Sequence, residues 1–302
     1  MLKNHKTIVV VGAGGRLGCS LVKSLKVSHC VIGLNHKQLD LGSIESIDEI
    51  LGKLDYNNII IAGALTNVDY CESHENEAFA VNTVGPGRIA EISTAKDAHV
   101  TYISTDMVFD GSKAGSYVES DKPNPINAYG ASKLAGEKAI LHFSEGNLVV
   151  RTSWIYGPGK PAFPEWIIGK ACSELNLTLP MDKMSCPTYT LDIIEWLLVL
   201  LFRSKKDATS GIFHLCNSSP CSWLDWGQFC IDRAREFGFP VVASKVDGVS
   251  VDSVHAFLAK RPVNSAMDTE KFRNLTGIRP REWTVALRDF VIQSESFSKY
   301  RL

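Results

Sequence analysis

Thr7-Ile-Val-Val-Val-Gly-Ala-Gly-Gly-Arg-Leu-Gly18 decides the fold. Residues 7–11 form a continuous apolar run, the pattern of a central parallel strand buried on both faces. Gly12, Gly15 and Gly18 follow at once, and Leu21, Val22 and Leu25 then resume at helical spacing. A strand, a glycine turn and a helix in that order have the parts of a dinucleotide site. The turn is tight, the backbone can approach a pyrophosphate closely, and a helix amino terminus faces the negative charge. A lone glycine pattern is weak, since any glycine-rich turn produces one. Its weight comes from its place at the start of an alternating chain.

Outward from that stretch the alternation is regular. Cys30–Leu34 reads as a second strand, residues 43–51 as a helix behind a Ser43 cap, and Ile59–Ala62 as a third strand. A long helical region within 69–96, a strand at Val100–Ile103 and a strand at Leu148–Arg151 follow. Strands alternating with helices predict an α/β fold, a Rossmann-like doubly wound parallel sheet. Beyond about residue 155 the spacing becomes irregular, with a Pro/Gly-rich stretch at 157–164, an apolar helix ending near Phe202, a short strand at Ile212–Leu215 and helices near 222–237 and 282–293. The expected organisation is a dinucleotide-binding domain over 1–155, with further core elements from about 190–220. Residues 156–302 form mainly a smaller substrate-binding lobe.

Composition removes several classes of function. The 302 residues are 45% apolar, enough for a real core, and Lys+Arg 32 against Asp+Glu 33 leaves no net field to recruit nucleic acid or an anionic membrane. The basic run Arg203-Ser-Lys-Lys206 reads as a solvated loop. Residues 193–202 are very apolar but short, and they carry Glu195, so they read as a buried helix and not as a membrane span. Met1-Leu-Lys-Asn-His-Lys6 runs straight into the first strand, which leaves no room for a signal peptide. Eight scattered cysteines without a C-x-x-C pair read as reduced thiols of a cytoplasmic protein, with no metal site.

A chemistry is written in Ser104-Thr105-Asp106 and in Tyr129-Gly-Ala-Ser-Lys133. Tyrosine and lysine at i and i+4 share a helix face, so the ammonium can favour the ionised phenol, and such a phenol exchanges a proton with a substrate oxygen. Thr105 offers a hydroxyl to the same oxygen. The spacing alone proves little, because Tyr156-Gly-Pro-Gly-Lys160 repeats it and an ordinary surface helix produces it as well. Gly-Pro-Gly cannot continue a helix, whereas residues 131–141 are mostly good helix formers behind Pro125. At the end of the second strand, where a carboxylate selects a free ribose 2'-hydroxyl, Gly33-Leu-Asn-His-Lys37 has no acid. Arg16, His36 and Lys37 suit a 2'-phosphate, which favours NADPH over NADH. The competing reading of these basic residues is a solvated loop.

With these residues in view the chain resembles the extended short-chain dehydrogenase/reductases, and within them the dTDP-4-dehydrorhamnose reductase family of nucleotide-sugar reductases. The resemblance covers nearly the whole chain. It rests on Gly12-x-x-Gly15-x-x-Gly18, Asp40-Leu41, Ala64-x-Thr66-x-Val-Asp69-x-x-Glu72, Val81-Asn82, Ser104-Thr-Asp-x-Val-Phe-Asp-Gly111 and Tyr129-Gly-x-Ser-Lys133-x-x-Gly-Glu137. Further along it rests on Arg151-x-Ser-Trp154-x-Tyr-Gly157, Pro187-Thr188, Gly211-Ile-Phe-His214, Ser222-Trp223, Arg261-Pro262 and Trp283-x-x-Ala-Leu287.

The resemblance implies that Thr105, Tyr129 and Lys133 are the catalytic triad. It also implies a cofactor lining of Gly12, Gly15, Arg16, Leu17, Gly18, Asp40, Leu41, Ala62, Gly63, Ala64, Thr66 and Ser104, joined by His36, Lys37, Tyr129 and Lys133. Asp106, Trp154 and Arg261 would join Thr105 in facing the sugar. Blander readings stand beside these: Asp106 caps a turn, Trp154 is core, and Asp40-Leu41 is a strand end. The implied activity is NADPH-dependent reduction of the C4 ketone of a nucleoside-diphosphate deoxysugar, dTDP-4-keto-L-rhamnose or a close analogue. Met107 stands where the family usually has tyrosine, Leu65 where an aromatic or histidine is common, Ile61 where asparagine is usual and Lys183 where glutamine is usual. Related dehydratases need an acid at the position of Met107, which argues against elimination. A sugar epimerase and a non-catalytic subunit resembling the methionine adenosyltransferase beta subunit are the rival readings. The sequence leaves open the exact sugar, the base, the choice between monomer and homodimer, and any need for Mg2+.

Overall fold

The computed structural model describes residues 7–202, 209–293 and 297, so the basic run at 203–206 and the start at 1–6 lie outside the described residues. Every residue of β1 (Thr7–Val11) is β-branched, a composition that favours a strand packed on both faces. Its alternate side chains part accordingly. Ile8 and Val10 enter one apolar core and Val9 and Val11 another, on opposite faces of the sheet.

After the glycine turn come α1 (Arg16–Leu25), β2 (Cys30–Leu34), α2 (Ile44–Gly52) and β3 (Asn58–Ile61). Then come α3 (Val68–Ser73), α4 (Glu75–Phe79), α5 (Gly85–Ala95), β4 (His99–Thr105), α6 (Ala128–Phe143) and β5 (Leu148–Thr152). The second half contributes β6 (Ile155–Tyr156), α7 (Phe163–Ala171), β7 (Leu177–Pro180), β8 (Met184–Ser185), β9 (Thr188–Tyr189), α8 (Thr190–Phe202) and β10 (Gly211–His214). It closes with β11 (Cys221–Ser222), α9 (Trp223–Glu236), β12 (Val246–Val249), α10 (Glu270–Thr276) and α11 (Trp283–Gln293).

Six strands form one parallel sheet in the order β10-β5-β4-β3-β1-β2. The strand order reverses at β1 and β3, and in such sheets ligands bind outside the carboxyl ends of the strands at that point. The apolar helix α8 is buried as expected. Its Ile193, Ile194, Trp196, Leu197 and Leu200 share a core with Ile8, Val10 and Leu21. The strand expected at 212–215 is β10, at the edge of this sheet. A separate core in the second half joins Tyr156, Ile167, Trp226, Ile231, Leu287 and Phe290.

The long helix expected within 69–96 is broken. His74 leaves the helical conformation at φ −133°, ψ 53°, and residues 80–84 widen into a π turn. Gly85 lies so close to Leu41 that an added Cβ would stand 2.0 Å from its carbonyl oxygen. The π turn carries Asn82, whose carboxamide pairs with both the N–H and the carbonyl of Leu65 and donates to Ser132 Oγ. One widened turn therefore ties the loop after β3 to α6.

Deeper still, Glu137 of α6 takes two hydrogen bonds from Arg151 of β5, at 2.9 Å and 2.7 Å, and one from Ser104 of β4 at 2.6 Å. Both charged side chains are 1–2% exposed. Removing one partner strands the other charge in the core. Glu137→Ala is expected to lower the unfolding free energy by about 3–5 kcal/mol, measured as a lower denaturant midpoint. A loss under about 1 kcal/mol would show that the pair does not hold α6 to the sheet.

Candidate active site

The first part of the site is the glycine turn between β1 and α1. Gly12 has φ +84°, and an added Cβ would lie 2.3 Å from the backbone nitrogen of Gly63. At Gly18 it would lie 2.2 Å from the Gly12 carbonyl oxygen, so strand, turn and helix meet backbone to backbone. Helix α1 starts from Gly15, which has no side chain to cap the first-turn N–H groups. A cradle with open N–H donors at a helix amino terminus suits a pyrophosphate. A cleft of ≈ 680 Å³ opens over it, lined by Gly12, Gly15, Arg16, Leu17, His36, Asp40, Leu41 and Ala62 to Thr66. Leu39, Glu77, Val81, Ile155 and Lys160 also line it. Sequence reading missed these five: Glu77, Val81, Ile155 and Lys160 come from segments that only the fold brings to the cleft, and Leu39 is the chain neighbour of the expected Asp40.

Within this lining several side chains are engaged differently from their reading in the sequence. Arg16 donates to the carbonyls of Ile155, Lys160 and Pro161 at 3.1, 3.1 and 2.5 Å. Its guanidinium thus fastens the 155–161 segment to the cradle with three of its five N–H donors. His36 and Lys37 sit on an exposed turn after β2; His36 borders the cleft 3.7 Å from Asp40, whereas Lys37 is not part of the lining. Asp40 accepts from the Gly42 N–H at 2.9 Å. Gly18 serves the close packing of α1 and does not face the cleft. Ser104 spends its hydroxyl on Glu137 and is 4% exposed, a structural placement in contrast to its expected cofactor contact.

The second part is the amino-terminal turn of α6. Asn127 caps it by accepting from the Gly130 N–H, and Glu72 accepts from the Ala128 N–H, so Tyr129 sits in a turn held from two sides. Thr105, Asp106 and Cys71 lie near the Tyr129 phenol. Burial raises its pKa above the ordinary tyrosine value, opposed by the nearby Thr105. Lys133 is 1% exposed; its ammonium donates to the Ile103 carbonyl at 2.7 Å and lies 3.8 Å from the centre of the Tyr102 ring. Burial lowers its pKa to about 7, with Glu137 opposing. Lys133 is not among the groups that act on the phenol, whose pKa is raised by burial, in contrast to the lowering expected from the i, i+4 spacing. Tyr156 and Lys160 do not share a helix face: Gly157 and Gly159 have φ +152° and +106°, and Tyr156 is buried core.

The third part is a ring of buried hydroxyls around Asp106. Its carboxylate accepts from Thr105 at 3.1 Å, from Ser185 at 2.8 Å and from Ser265 at 2.5 Å. Lys183, 1% exposed, donates to Ser265 Oγ at 3.0 Å. Asp106 is thus turned toward protein hydroxyls, and it binds Thr105 to the second half of the chain. Arg261 pairs with Asp69 at 2.7 Å and donates to the Ala259 carbonyl, while Asp69 also accepts from the Leu258 and Ala259 N–H groups. Its charge closes the 258–261 segment onto α3 and is not directed at a free ligand position. Trp154 has φ +45°, an unusual backbone state for a bulky residue, and stacks on Trp226 with ring centres 5.2 Å apart. Ser185, Ser265 and Asn82 were not predicted as site residues.

The buried Lys133 has a thermodynamic consequence. The folded form releases its proton near pH 7, while the unfolded chain holds it up to the ordinary lysine value of 10.5. Between those limits the unfolded state binds more protons, so this group makes stability rise with pH. The melting temperature of the parent relative to Lys133→Met is expected to climb between pH 7 and pH 10. A constant difference over that range would show that Lys133 is not desolvated.

Among the described residues there is no group of three or more His, Cys, Asp or Glu side chains able to hold a metal ion, and no helix long and apolar enough to cross a membrane. Residues 6–296 match the model of the RmlD substrate binding domain. The dTDP-4-dehydrorhamnose reductase of Aggregatibacter actinomycetemcomitans is 33% identical over 95% of this chain and 99% of its own length. The spore coat polysaccharide biosynthesis protein SpsK of Bacillus subtilis (strain 168) is 31% identical over 96% and 98%. A crystal structure of dTDP-4-dehydrorhamnose reductase from Bacillus anthracis in complex with NADP superposes with a TM-score of 0.88 at 28% identity, covering 96% of this chain and 99% of that one. With a dinucleotide cradle, a Thr105–Tyr129 pair beside it and a match that runs almost end to end, the chain belongs to the RmlD substrate binding domain family.

Proposed function

We propose that the protein is an NADPH-dependent reductase of the C4 ketone of a nucleoside-diphosphate 6-deoxy sugar, acting as a dTDP-4-dehydrorhamnose reductase. The observation that carries this reading is the Tyr129 phenol set beside Thr105, on a helix that Asn82 ties to the Leu65 wall of the dinucleotide cleft. Gly12, Gly15 and the Arg16 and Leu17 backbone at the start of α1 receive the pyrophosphate, Asp40 and Leu41 border the adenosine half, and the exposed His36 and Lys37 turn meets a 2'-phosphate. The dinucleotide, when bound, supplies hydride to the carbonyl carbon. Tyr129 gives its phenolic proton to the carbonyl oxygen, Thr105 holds the phenol in place, and Lys133 contributes positive charge behind the Ile103 strand end.

In this reading residues 1–155, with further core elements from about 190–220, make up the dinucleotide-binding part, and residues 156–302 are mainly the sugar lobe. Eight free cysteines suit work in the reducing cytoplasm.

Purified protein given dTDP-4-dehydrorhamnose and NADPH is expected to oxidise the cofactor, read as loss of dihydronicotinamide absorbance. Tyr129→Phe should lower kcat by roughly 10²-fold or more while NADPH binding is retained. NADPH binding without oxidation by any 4-keto nucleotide sugar would sink the proposal. The double substitution His36→Ala, Lys37→Ala is expected to reduce the preference for NADPH over NADH in kcat/KM. An unchanged preference would remove this turn from phosphate recognition.

A further inference from the structure

Lys183 is a buried cation that the proposed reaction leaves unused. Its position bears a glutamine in typical relatives by the resemblance noted above, so the charge is a departure of this chain. An ammonium has three donors and is costly to bury without an opposite charge. Here it is 1% exposed, and the hydrogen bond at 3.0 Å to Ser265 Oγ leads on to Asp106, because Ser265 donates to the Asp106 carboxylate at 2.5 Å. Asp106 takes the Thr105 hydroxyl at 3.1 Å on its other oxygen, and Thr105 lies beside the Tyr129 phenol. Hydrogen bonds therefore run from Lys183 through Ser265 and Asp106 to Thr105, and Asp106 and Thr105 both lie beside the Tyr129 phenol.

We propose that Lys183 is a positioning residue for the proton-transfer step: its ammonium, linked through Ser265, offsets the negative charge that Asp106 places beside the Tyr129 phenol. The inference rests on the reductase reading and deepens it. A carboxylate near a phenol disfavours phenolate and weakens the phenol as an acid, and a nearby cation opposes that. The Asp106 charge does act on Tyr129 in this direction. The charged and titratable groups around the chain of bonds are few. Lys183 faces Asp106 from the turn after β4 and Arg261 from the 258–261 segment, with the Trp154 ring centre 5.7 Å from its ammonium. Asp106 also faces Tyr129 and the buried Cys216, which is next to Cys186.

Burial lowers the Lys183 pKa to about 8, with Asp106 opposing and Arg261 assisting. Loss of its proton thus falls in a range accessible to assay. Below that range the parent carries the offsetting charge, and above it the parent is electrostatically equivalent to a neutral variant.

The test is the rate of NADPH oxidation with dTDP-4-dehydrorhamnose from pH 6 to pH 10, for the parent, Lys183→Gln and Lys183→Arg. At pH 6.5 the parent is expected to exceed Lys183→Gln in kcat by roughly threefold or more, with KM for NADPH unchanged because Lys183 does not line the dinucleotide cleft. The ratio should fall toward one above about pH 9. Lys183→Arg, which stays charged throughout, should not converge with Lys183→Gln. Should Lys183→Gln fail to fold, Lys183→Met gives the same comparison. A parent-to-variant ratio that stays constant across pH would indicate a packing role and overturn the inference while leaving the reductase reading intact. A parent without activity would sink the reductase reading itself.

Discussion

The buried ion pair between Glu137 and Arg151 constrains most of what the site can do. It joins α6 to β5, and its third member, Ser104, joins both to the end of β4. Tyr129 and Lys133 lie on α6, while Thr105 is the last residue of β4. Fixing the helix against those strands therefore fixes the phenol against the hydroxyl it needs. Such a pair is weak evidence for net stability, since desolvation offsets much of the attraction, but breaking it is costly. Its contribution is geometric.

Around that anchor the site is assembled from both halves of the chain. Three residues far apart in sequence, Thr105, Ser185 and Ser265, donate to one carboxylate, and Asp106 thereby becomes the junction between the sheet and the second lobe. Arg16 and Arg261 act at the rims in the same manner. One fastens the 155–161 segment to the cradle, and the other holds the 258–261 segment to α3 through Asp69. Arginine suits both positions because its planar fork satisfies several acceptors at once.

Electrostatically the site holds two buried lysines, Lys133 on α6 and Lys183 in the second half of the chain. Lys133 is beneath the β4 strand end, against Ile103 and the Tyr102 ring, and Lys183 is on the far side of Asp106. Each is desolvated, and each has an acidic neighbour that keeps its charge tenable: Glu137 for Lys133, Asp106 for Lys183.

The sequence by itself determined the β1, glycine turn and α1 unit, because the strand pattern, the Gly12 conformation and the helical spacing are local requirements that few other residues meet. The same holds for α8 as a buried helix and for the helix beneath Tyr129. The break of the long helix at His74 and the π turn escaped prediction, since they serve the close approach of Gly85 to Leu41 and the reach of Asn82 to Leu65, which are contacts across the fold. Only the tertiary structure decided what the polar side chains do. Arg16, Ser104, Asp106 and Arg261 are visible in the sequence as candidates, yet their partners lie up to 192 positions away, as for Arg261 and Asp69. A residue's backbone preference is set by its neighbours in the chain, whereas the partner of a buried charge is set by whichever distant group packing brings within hydrogen-bonding distance.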